Sequence, residues 1–139
     1  MHTRNIGKIV EQDFILRAMR QGFLVSLPVL ETVYDVILDK GGRLIRVQIK
    51  KAQVARRVNR YNKERLYCQV HLQWRSHRFN AHGGVKDLFF RYPSNAFDIF
   101  ALYVEHEKSF YLFPWRDIAH LTHLNISVKL SKFKEKWDF

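Results

Sequence analysis

The chain has 139 residues, of which 47% are hydrophobic, so it is long and apolar enough to form one folded domain with a modest core. Lys and Arg number 24 against 13 Asp and Glu, and the net charge of +11 favours a polyanionic partner, nucleic acid before an acidic membrane. The lone Cys68 excludes an internal disulfide, and no apolar run reaches the about 18 residues of a membrane span, so we expect a cytoplasmic protein without a membrane partner.

The first predicted element is a helix over residues 6–21. Asn5 would cap its N-terminus, and Gly22 would end it. The apolar segment that follows is a short strand or an extended link. Two strands, at residues 33–39 and 43–51, then form a hairpin around a Gly-Gly turn.

The rest of the chain is predicted to be mostly strand. Residues 52–65 are polar and basic, which predicts a loop or a short helix. Residues 66–75 alternate between apolar and polar side chains, as a half-exposed strand does, and residues 76–84 are predicted to be a loop. The side chains expected to point inward are Leu66, Cys68, Val70, Leu72 and Trp74. Further strands are predicted at residues 97–105, 109–115 and 125–130, with a short helix near residues 115–124. These elements indicate a mixed α/β domain around one central sheet.

The predicted hairpin gathers polar side chains on one face. Counting outward from a two-residue Gly-Gly turn places Asp35 directly opposite Gln48. Lys50 follows Gln48 by two positions, so its side chain shares that face. Glu11, on the predicted helix, lies in an otherwise apolar row, where a carboxylate needs a partner or a function. The alternative for Glu11 is a weak ion pair with a Lys or Arg at the rim of the helix.

These polar residues are the candidate catalytic site for cleaving a phosphodiester. Asp35, Glu11, the amide of Gln48 and the main-chain carbonyl of Ile49 are candidate oxygen ligands for Mg²⁺, for which Mn²⁺ would substitute, and no small-molecule cofactor is expected. Lys50 would orient the attacking water or stabilise the developing negative charge. On spacing alone, a surface salt bridge between Asp35 and a lysine is the simpler interpretation.

The order of these motifs resembles the PD-(D/E)XK nuclease superfamily. More narrowly, "YDVILDKGGRLIRVQIKKA" and "FDIFALYVEHEKSFYLFP" are similar to motifs of the group I intron-encoded homing endonucleases of this fold. The resemblance implies an α/β (α+β mixed-sheet) domain with a restriction-endonuclease-like core, in which one helix precedes a central mixed sheet. It implies that Glu11, Asp35, Gln48 and Lys50 occupy the catalytic positions.

Two residues depart from the superfamily motif. Tyr34 stands where the motif has Pro, and Gln48 stands where it has an acid. A neutral amide offers an oxygen ligand without a charge, so we expect weaker metal binding and a larger contribution from Glu11. The intron-encoded group is similar in having Gln at this position. Asp98, in the later motif, is interpreted as structural.

Two groups of side chains are candidates for DNA contacts. The first group is basic and follows the candidate catalytic strand, so it would position the DNA backbone; it comprises Lys51, Arg56, Arg57, Arg60, Lys63 and Arg65. The second group is the outward row that would read bases: Tyr67, Gln69, His71, Gln73, Arg75, His77 and Arg78. Gln and Arg form paired hydrogen bonds to adenine and guanine edges, but an ordinary solvated strand face is the alternative.

The sequence and the resemblance together predict a single nuclease domain over residues 1–139, with residues 53–92 as a DNA-binding elaboration and residues 120–139 as a possible oligomer-contact tail. The resemblance implies a Mg²⁺-dependent, sequence-specific endonuclease that breaks both strands of double-stranded DNA as a homo-oligomer, either a dimer or a tetramer. A non-catalytic DNA-binding module with a decayed site at Gln48 is one alternative. A structure-selective Holliday-junction resolvase of the same fold is another.

Overall fold

The structure, a computed structural model, describes residues 2–79 and 81–139, with side chains described outside 65–66, 75–79 and 85–87. It begins with helix α1 (Thr3–Arg20), which is longer at its start than predicted. The predicted Asn5 cap is wrong: the Asn5 main-chain N–H donates to the His2 carbonyl at 2.9 Å, so Asn5 lies inside the first turn. The predicted stop is confirmed, because Gly22 follows the helix with φ of +88°.

The described strands and the second helix follow in chain order. The strands are β1 (Leu24–Ser26), β2 (Val36–Lys40), β3 (Arg43–Lys51), β4 (Gln53–Val58), β5 (Glu64–His71), β6 (Gln73–Phe79), β7 (Val85–Arg91), β8 (Ile99–Val104), β9 (Ser109–Pro114) and β10 (His123–Asn125). Helix α2 (Trp115–Ile118) lies between β9 and β10, and 3₁₀ segments occupy Glu105–Glu107 and Val128–Phe133. No helix among these described residues is both long and apolar enough to cross a membrane.

The central sheet has five strands in the order β1-β2-β3-β8-β9. Strands β3 and β8 are parallel, whereas the other neighbouring pairs are antiparallel, so the predicted mixed sheet with one preceding helix is confirmed. A second sheet has the order β10-β5-β4. Strands β6 and β7 form a separate antiparallel pair, here named the ribbon.

The β2–β3 hairpin has the predicted register. Lys40 pairs with Arg43 across the turn, and the last pair of the ladder is Val36 with Val47. One position further along the same register, Asp35 lies opposite Gln48. The two turn glycines have φ of +63° and +80°, and a two-residue hairpin turn of this kind requires positive φ at both positions. The inward side chains of β3, Ile45, Val47 and Ile49, are all buried as expected.

Each face of the central sheet covers its own apolar core. On one face, Phe14 of α1 is fully buried and packs edge-on against Phe110 at 5.2 Å between ring centroids. On the other face, Phe100 and Phe113 pack with Leu72 and Trp115. Strands β8 and β9 are buried on both faces, whereas β3 alternates between buried and partly exposed side chains. Since Ile45, Val47 and Ile49 join the core on the Phe14 side, the polar side chains of β3 lie on the opposite face, beside the second core.

The last residues of the chain pack onto α1. The indole of Trp137 lies 5.2 Å from the Phe14 ring, and the Phe139 ring stacks on Phe23 at 5.7 Å. These two tail aromatics are partly buried and pack against the protein's own core.

Several predictions of secondary structure are wrong. The basic segment predicted as a loop or a helix contains β4, because its backbone pairs in register with β5 although most of its side chains stay exposed. The predicted loop over residues 76–84 includes the end of β6. The predicted strand over residues 125–130 keeps only its first residue in β10, and Val128–Phe133 is a 3₁₀ helix instead.

The alternating stretch after residue 66 does not form one strand. Cys68, Val70 and Leu72 are buried as predicted. The strand is interrupted at Leu72, however, and the residues after it form β6, which is not part of the second sheet. Trp74, predicted to point inward, is 36% exposed and stacks on Phe90 with 4.8 Å between ring centroids. The side chain of Leu66 lies outside the described part of the structure.

Candidate active site

The Asp35 carboxylate is fixed by hydrogen bonds from residues of β3. Its Oδ2 accepts hydrogen bonds from the Gln48 side-chain amide and from the main-chain N–H of Ile49, both at 2.8 Å. The main-chain N–H of Asp35 donates to the Val47 carbonyl at 2.9 Å. Three consecutive residues of β3 therefore hold Asp35 and its carboxylate at one position, directly before β2.

Burial, together with the nearby charge of Glu11, raises the pKa of Asp35 to about 6. The hydrogen bond from Ile49 and the positive charges of Lys8 and Lys50 act in the opposite direction. A buried carboxylate beside a second carboxylate is stabilised by a bound cation, because the cation offsets both the desolvation and the repulsion.

Glu11 forms the rim ion pair that was the alternative interpretation of its sequence position, and its role as a metal ligand stays a prediction. Its Oε2 lies 2.6 Å from Nζ of Lys8, which is an ion pair at the rim of α1. Its charge also acts on Asp35, so the fold brings the two carboxylates into the same electrostatic environment. The Lys8 side chain is 75% exposed, and such a pair contributes little to stability. Lys8 was missed by sequence reasoning, although its i, i+3 spacing from Glu11 is a visible signal.

Lys50 lies on the same strand face as Gln48 and is partly buried. Its Nζ donates to the main-chain carbonyl of Gln73 at 2.5 Å and lies 5.3 Å from the ring centroid of Tyr92. Burial lowers the pKa of Lys50 to about 8, while the charge of Asp35 raises it. Tyr92 was also missed by sequence reasoning, because no local pattern connects it with β3.

The donor atoms at this site suit a hard divalent cation. The Gln48 amide nitrogen donates to Asp35 and, at 3.2 Å, to the Ile49 carbonyl, so the amide would have to rotate to bring its oxygen to a cation held by these two groups. With the carboxylates of Asp35 and Glu11 and the Ile49 carbonyl, the set consists of oxygens, which fits Mg²⁺ better than zinc. In the part of the chain that the structure describes, no three His, Cys, Asp or Glu side chains cluster as a metal site.

The basic group lies mainly on the hairpin of β4 and β5. Its exposed members are Arg56, Arg57, Arg60 and Lys63. Arg57 lies over the Tyr67 ring at 5.6 Å and Arg60 over the Tyr61 ring at 4.9 Å, which leaves their guanidinium groups at the surface. Lys51 differs from the others, because its Nζ pairs with Glu105 at 3.1 Å. The Arg65 side chain lies outside the described residues.

The predicted base-reading row is divided between two sheets. Tyr67, Gln69 and His71 lie on β5, where Gln69 is flanked by Gln53 and Asn125 of the neighbouring strands. Gln73 begins the ribbon, and its side chain is partly buried. The remaining members of the row have side chains outside the described residues: Arg75, His77 and Arg78.

Asp98 connects β3 with the start of β8. Its Oδ2 accepts from the main-chain N–H of Arg46 at 2.8 Å, and the Arg46 guanidinium lies 3.3 Å from Oδ1. Partial burial raises the pKa of Asp98, but the hydrogen bonds and the charge of Arg46 outweigh it and hold this pKa below its usual value. These contacts support the structural interpretation of Asp98.

Comparison with known proteins agrees with this arrangement. A sequence profile of the PD-(D/E)XK endonucleases matches residues 1–137. The chain belongs to the PD-(D/E)XK endonuclease family. Members of this family generally use divalent metal ions, and their activity implies a DNA substrate.

A solved structure shares the fold of this PD-(D/E)XK chain. The bacterial homing endonuclease I-Ssp6803I superposes with a TM-score of 0.75 over 99% of this chain and 91% of that chain, at 24% sequence identity. No curated protein matches the sequence. The restriction-endonuclease-like core implied by the motif order is therefore confirmed.

Proposed function

We propose that this PD-(D/E)XK protein is a Mg²⁺-dependent, sequence-specific DNA endonuclease of the intron-homing kind, which makes a double-strand break by phosphodiester hydrolysis. The observation that carries the proposal is the arrangement around Asp35. Its carboxylate accepts a hydrogen bond from the Gln48 amide and is close enough to feel the charge of Glu11, and Lys50 lies on the same face of β3 as Gln48. The shared fold with a bacterial homing endonuclease supports it.

The side chains at the site have separate roles in this reaction. Asp35, Glu11, the Gln48 amide oxygen and the Ile49 carbonyl would hold the ion. When bound, Mg²⁺ supplies Lewis-acid stabilisation of the phosphoryl group and a lowered pKa of bound water. The Lys50 ammonium stabilises the negative charge that develops on the phosphate, because a fixed cation in a partly buried site interacts strongly with it.

DNA binding is assigned to the parts of the chain that surround this site. Exposed Arg57 and Arg60 would contact phosphates and hold the duplex in place. The ribbon that begins at Gln73 has the dimensions to enter the major groove. The division into a nuclease domain with a DNA-binding elaboration over residues 53–92, and a cytoplasmic location, stay predictions.

A homo-oligomer, either a dimer or a tetramer, is part of the proposal. The support is a group of exposed apolar side chains at the β1 edge of the central sheet: Leu24, Leu27, Val29, Leu30 and Leu44. Exposed apolar side chains and an unpaired strand edge are both typical of surfaces that associate. The predicted role of residues 120–139 in such a contact stays a prediction, and Trp137 already packs on Phe14 of α1 and Phe139 on Phe23.

The testing experiment is cleavage of a plasmid library with random inserts, in Mg²⁺ and in EDTA. Wild type should cut at one long site in a metal-dependent reaction. Asp35→Asn and Lys50→Ala should bind that site and cut nothing. Asp39→Asn is the matched control, because Asp39 is a carboxylate of the same hairpin that accepts from the Gly42 N–H at the turn, and this variant should cut normally.

Two other results would replace the proposal. Wild type that binds DNA but cuts nothing in any divalent metal would identify a non-catalytic module, with Gln48 as the first residue to examine. Cleavage of four-way junctions regardless of sequence would identify a resolvase.

A further inference from the structure

The base of the ribbon contacts Lys50 from both of its strands. Gln73, the first residue of β6, accepts the hydrogen bond from Nζ of Lys50 through its main-chain carbonyl. Tyr92, directly after β7, presents its ring at 5.3 Å from the same nitrogen. Gln73 pairs with Arg91 across the ribbon, so the two contacts come from the same end of adjacent strands.

The Tyr92 ring is fixed by the second core. It is 6% exposed and packs edge-on against Phe97 at 5.1 Å and against Trp115 at 5.8 Å. The Trp115 indole N–H donates to the carbonyl of Pro93 at 3.0 Å, which fixes the main chain next to Tyr92. The ring face beside the Lys50 ammonium is therefore held in place by neighbouring aromatic side chains of the core.

The base of the ribbon is also anchored by one main-chain and one side-chain hydrogen bond. The Leu72 N–H donates to the Thr122 carbonyl at 3.0 Å, and the Arg91 guanidinium donates to the His120 carbonyl at 3.1 Å. Both contacts attach the ribbon to the segment after α2. The Gln73 carbonyl therefore belongs to an anchored stretch of chain.

These contacts suit a lysine that has to act as a cation at one position. A lysine side chain is flexible and has three donor hydrogens, so an unrestrained ammonium would sample many positions. A carbonyl dipole and an aromatic ring face both attract a cation. Neither of them brings a second negative charge that would compete with the phosphate for the ammonium.

We propose that Tyr92 is a positioning residue for Lys50, acting together with the Gln73 carbonyl. The inference rests on the proposed nuclease function, in which Lys50 stabilises the developing charge. The base of the ribbon would then have two functions: it attaches the ribbon to the rest of the protein, and it positions Lys50 at the reaction centre.

The test compares Tyr92→Phe, Tyr92→Leu and Phe133→Leu by single-turnover cleavage and by DNA affinity on the site that wild type cuts. Tyr92→Phe keeps a ring face, so its rate should stay within about threefold of wild type. Tyr92→Leu should lower the rate by about 10- to 100-fold, because the ammonium is no longer held in place, while DNA affinity changes by less than about threefold. Phe133→Leu removes a ring that packs on Phe113 at 4.8 Å in the second core, apart from the ring pairs of Tyr92, and it should keep the wild-type rate even where its thermal stability falls.

Three outcomes would overturn the inference while wild type still cuts: a Tyr92→Leu rate equal to wild type, equal rate losses in Tyr92→Leu and Phe133→Leu, or a Tyr92→Phe rate as low as that of Tyr92→Leu. If Tyr92→Leu does not fold, Tyr92→Met replaces it, because Met fills an irregular space without a ring. Wild type that binds DNA and never cuts would instead overturn the proposed nuclease, and this inference with it.

Discussion

The Gln48 side chain donates a hydrogen bond to Asp35 across the β2–β3 hairpin, with Nε2 at 2.8 Å from Oδ2. A carboxylate in place of Gln48 would lose this donor and would repel both Asp35 and Glu11. The neutral amide therefore makes the metal-free site more stable than a carboxylate would. It also makes metal binding weaker, because it brings no negative charge to the site.

Gln48→Glu should bind Mg²⁺ more tightly than wild type, on the order of tenfold, because it adds a charged oxygen ligand. The same variant should unfold at a lower temperature in EDTA, because three carboxylates then face one another without a cation. Isothermal titration calorimetry measures the affinity, and thermal unfolding measures the stability. Gln21→Glu, at the exposed end of α1, is the control for added charge. Equal Mg²⁺ affinities of Gln48→Glu and wild type would show that residue 48 does not contribute to the metal site.

Asp35 should make the metal-free protein less stable as the pH rises. The folded pKa of about 6 is above the ordinary value of 3.8, so folding favours the protonated carboxyl. This contribution to stability is fully present below the ordinary pKa and is lost as the pH rises through about 6. The free energy of unfolding of Asp35→Asn relative to wild type should therefore increase by about 2–3 kcal/mol between about pH 4 and about pH 8.

Urea unfolding of both proteins in EDTA, at several pH values, measures this difference. Comparing the two proteins removes the contributions of the other titrating groups, which they share. A difference that does not change with pH would show that Asp35 is not destabilised in the fold.

The part of the site that lies on the β2–β3 hairpin was predictable because it depends on local rules. A Gly-Gly turn fixes the register, and the two-residue period of a strand then fixes which side chains lie opposite or beside Asp35. Glu11 was also found, because a carboxylate in an apolar helical row is visible in the sequence.

The contacts of Lys50 could not be predicted in the same way. Gln73 and Tyr92 are distant from β3 in the chain and meet it only through the tertiary packing of the ribbon. Strand β4 was missed for a different reason: it is held by backbone pairing with β5 and not by an apolar face, so hydrophobic periodicity gives no signal. Trp74 continues the alternation of β5, although the strand has already left that sheet.

Removing one phosphate contact should weaken DNA binding equally on all sequences. Arg57→Ala and Arg60→Ala should each reduce the slope of log affinity against log salt by about one. Fluorescence anisotropy with specific and random duplexes, over a range of salt concentrations, measures these slopes. Lys129→Ala is the control, because Lys129 is exposed near the 3₁₀ segment at the other end of the chain. A slope that is the same in all four proteins would move the phosphate contacts away from the β4–β5 hairpin.

Combined replacement of Gln73 and Arg75 by Ala should reduce sequence discrimination. Each lost base contact should cost about 1–3 kcal/mol on the specific site and little on random DNA. The contact to Lys50 uses the main-chain carbonyl of Gln73, so the substitution leaves it in place. Competition binding between specific and mismatched duplexes measures the change. An equal loss on every duplex would indicate backbone contacts instead of base reading.

The alternation along β3 constrains how this hairpin can change in length. An insertion or deletion of one residue between the Gly-Gly turn and Gln48 would turn the strand over, placing Gln48 and Lys50 in the core and isoleucines in the site. We therefore expect natural variants of the hairpin to differ by substitution and to keep its length. Insertions that alter target choice belong instead at the exposed turn over residues 59–63, which connects β4 and β5 without carrying a side chain of the site.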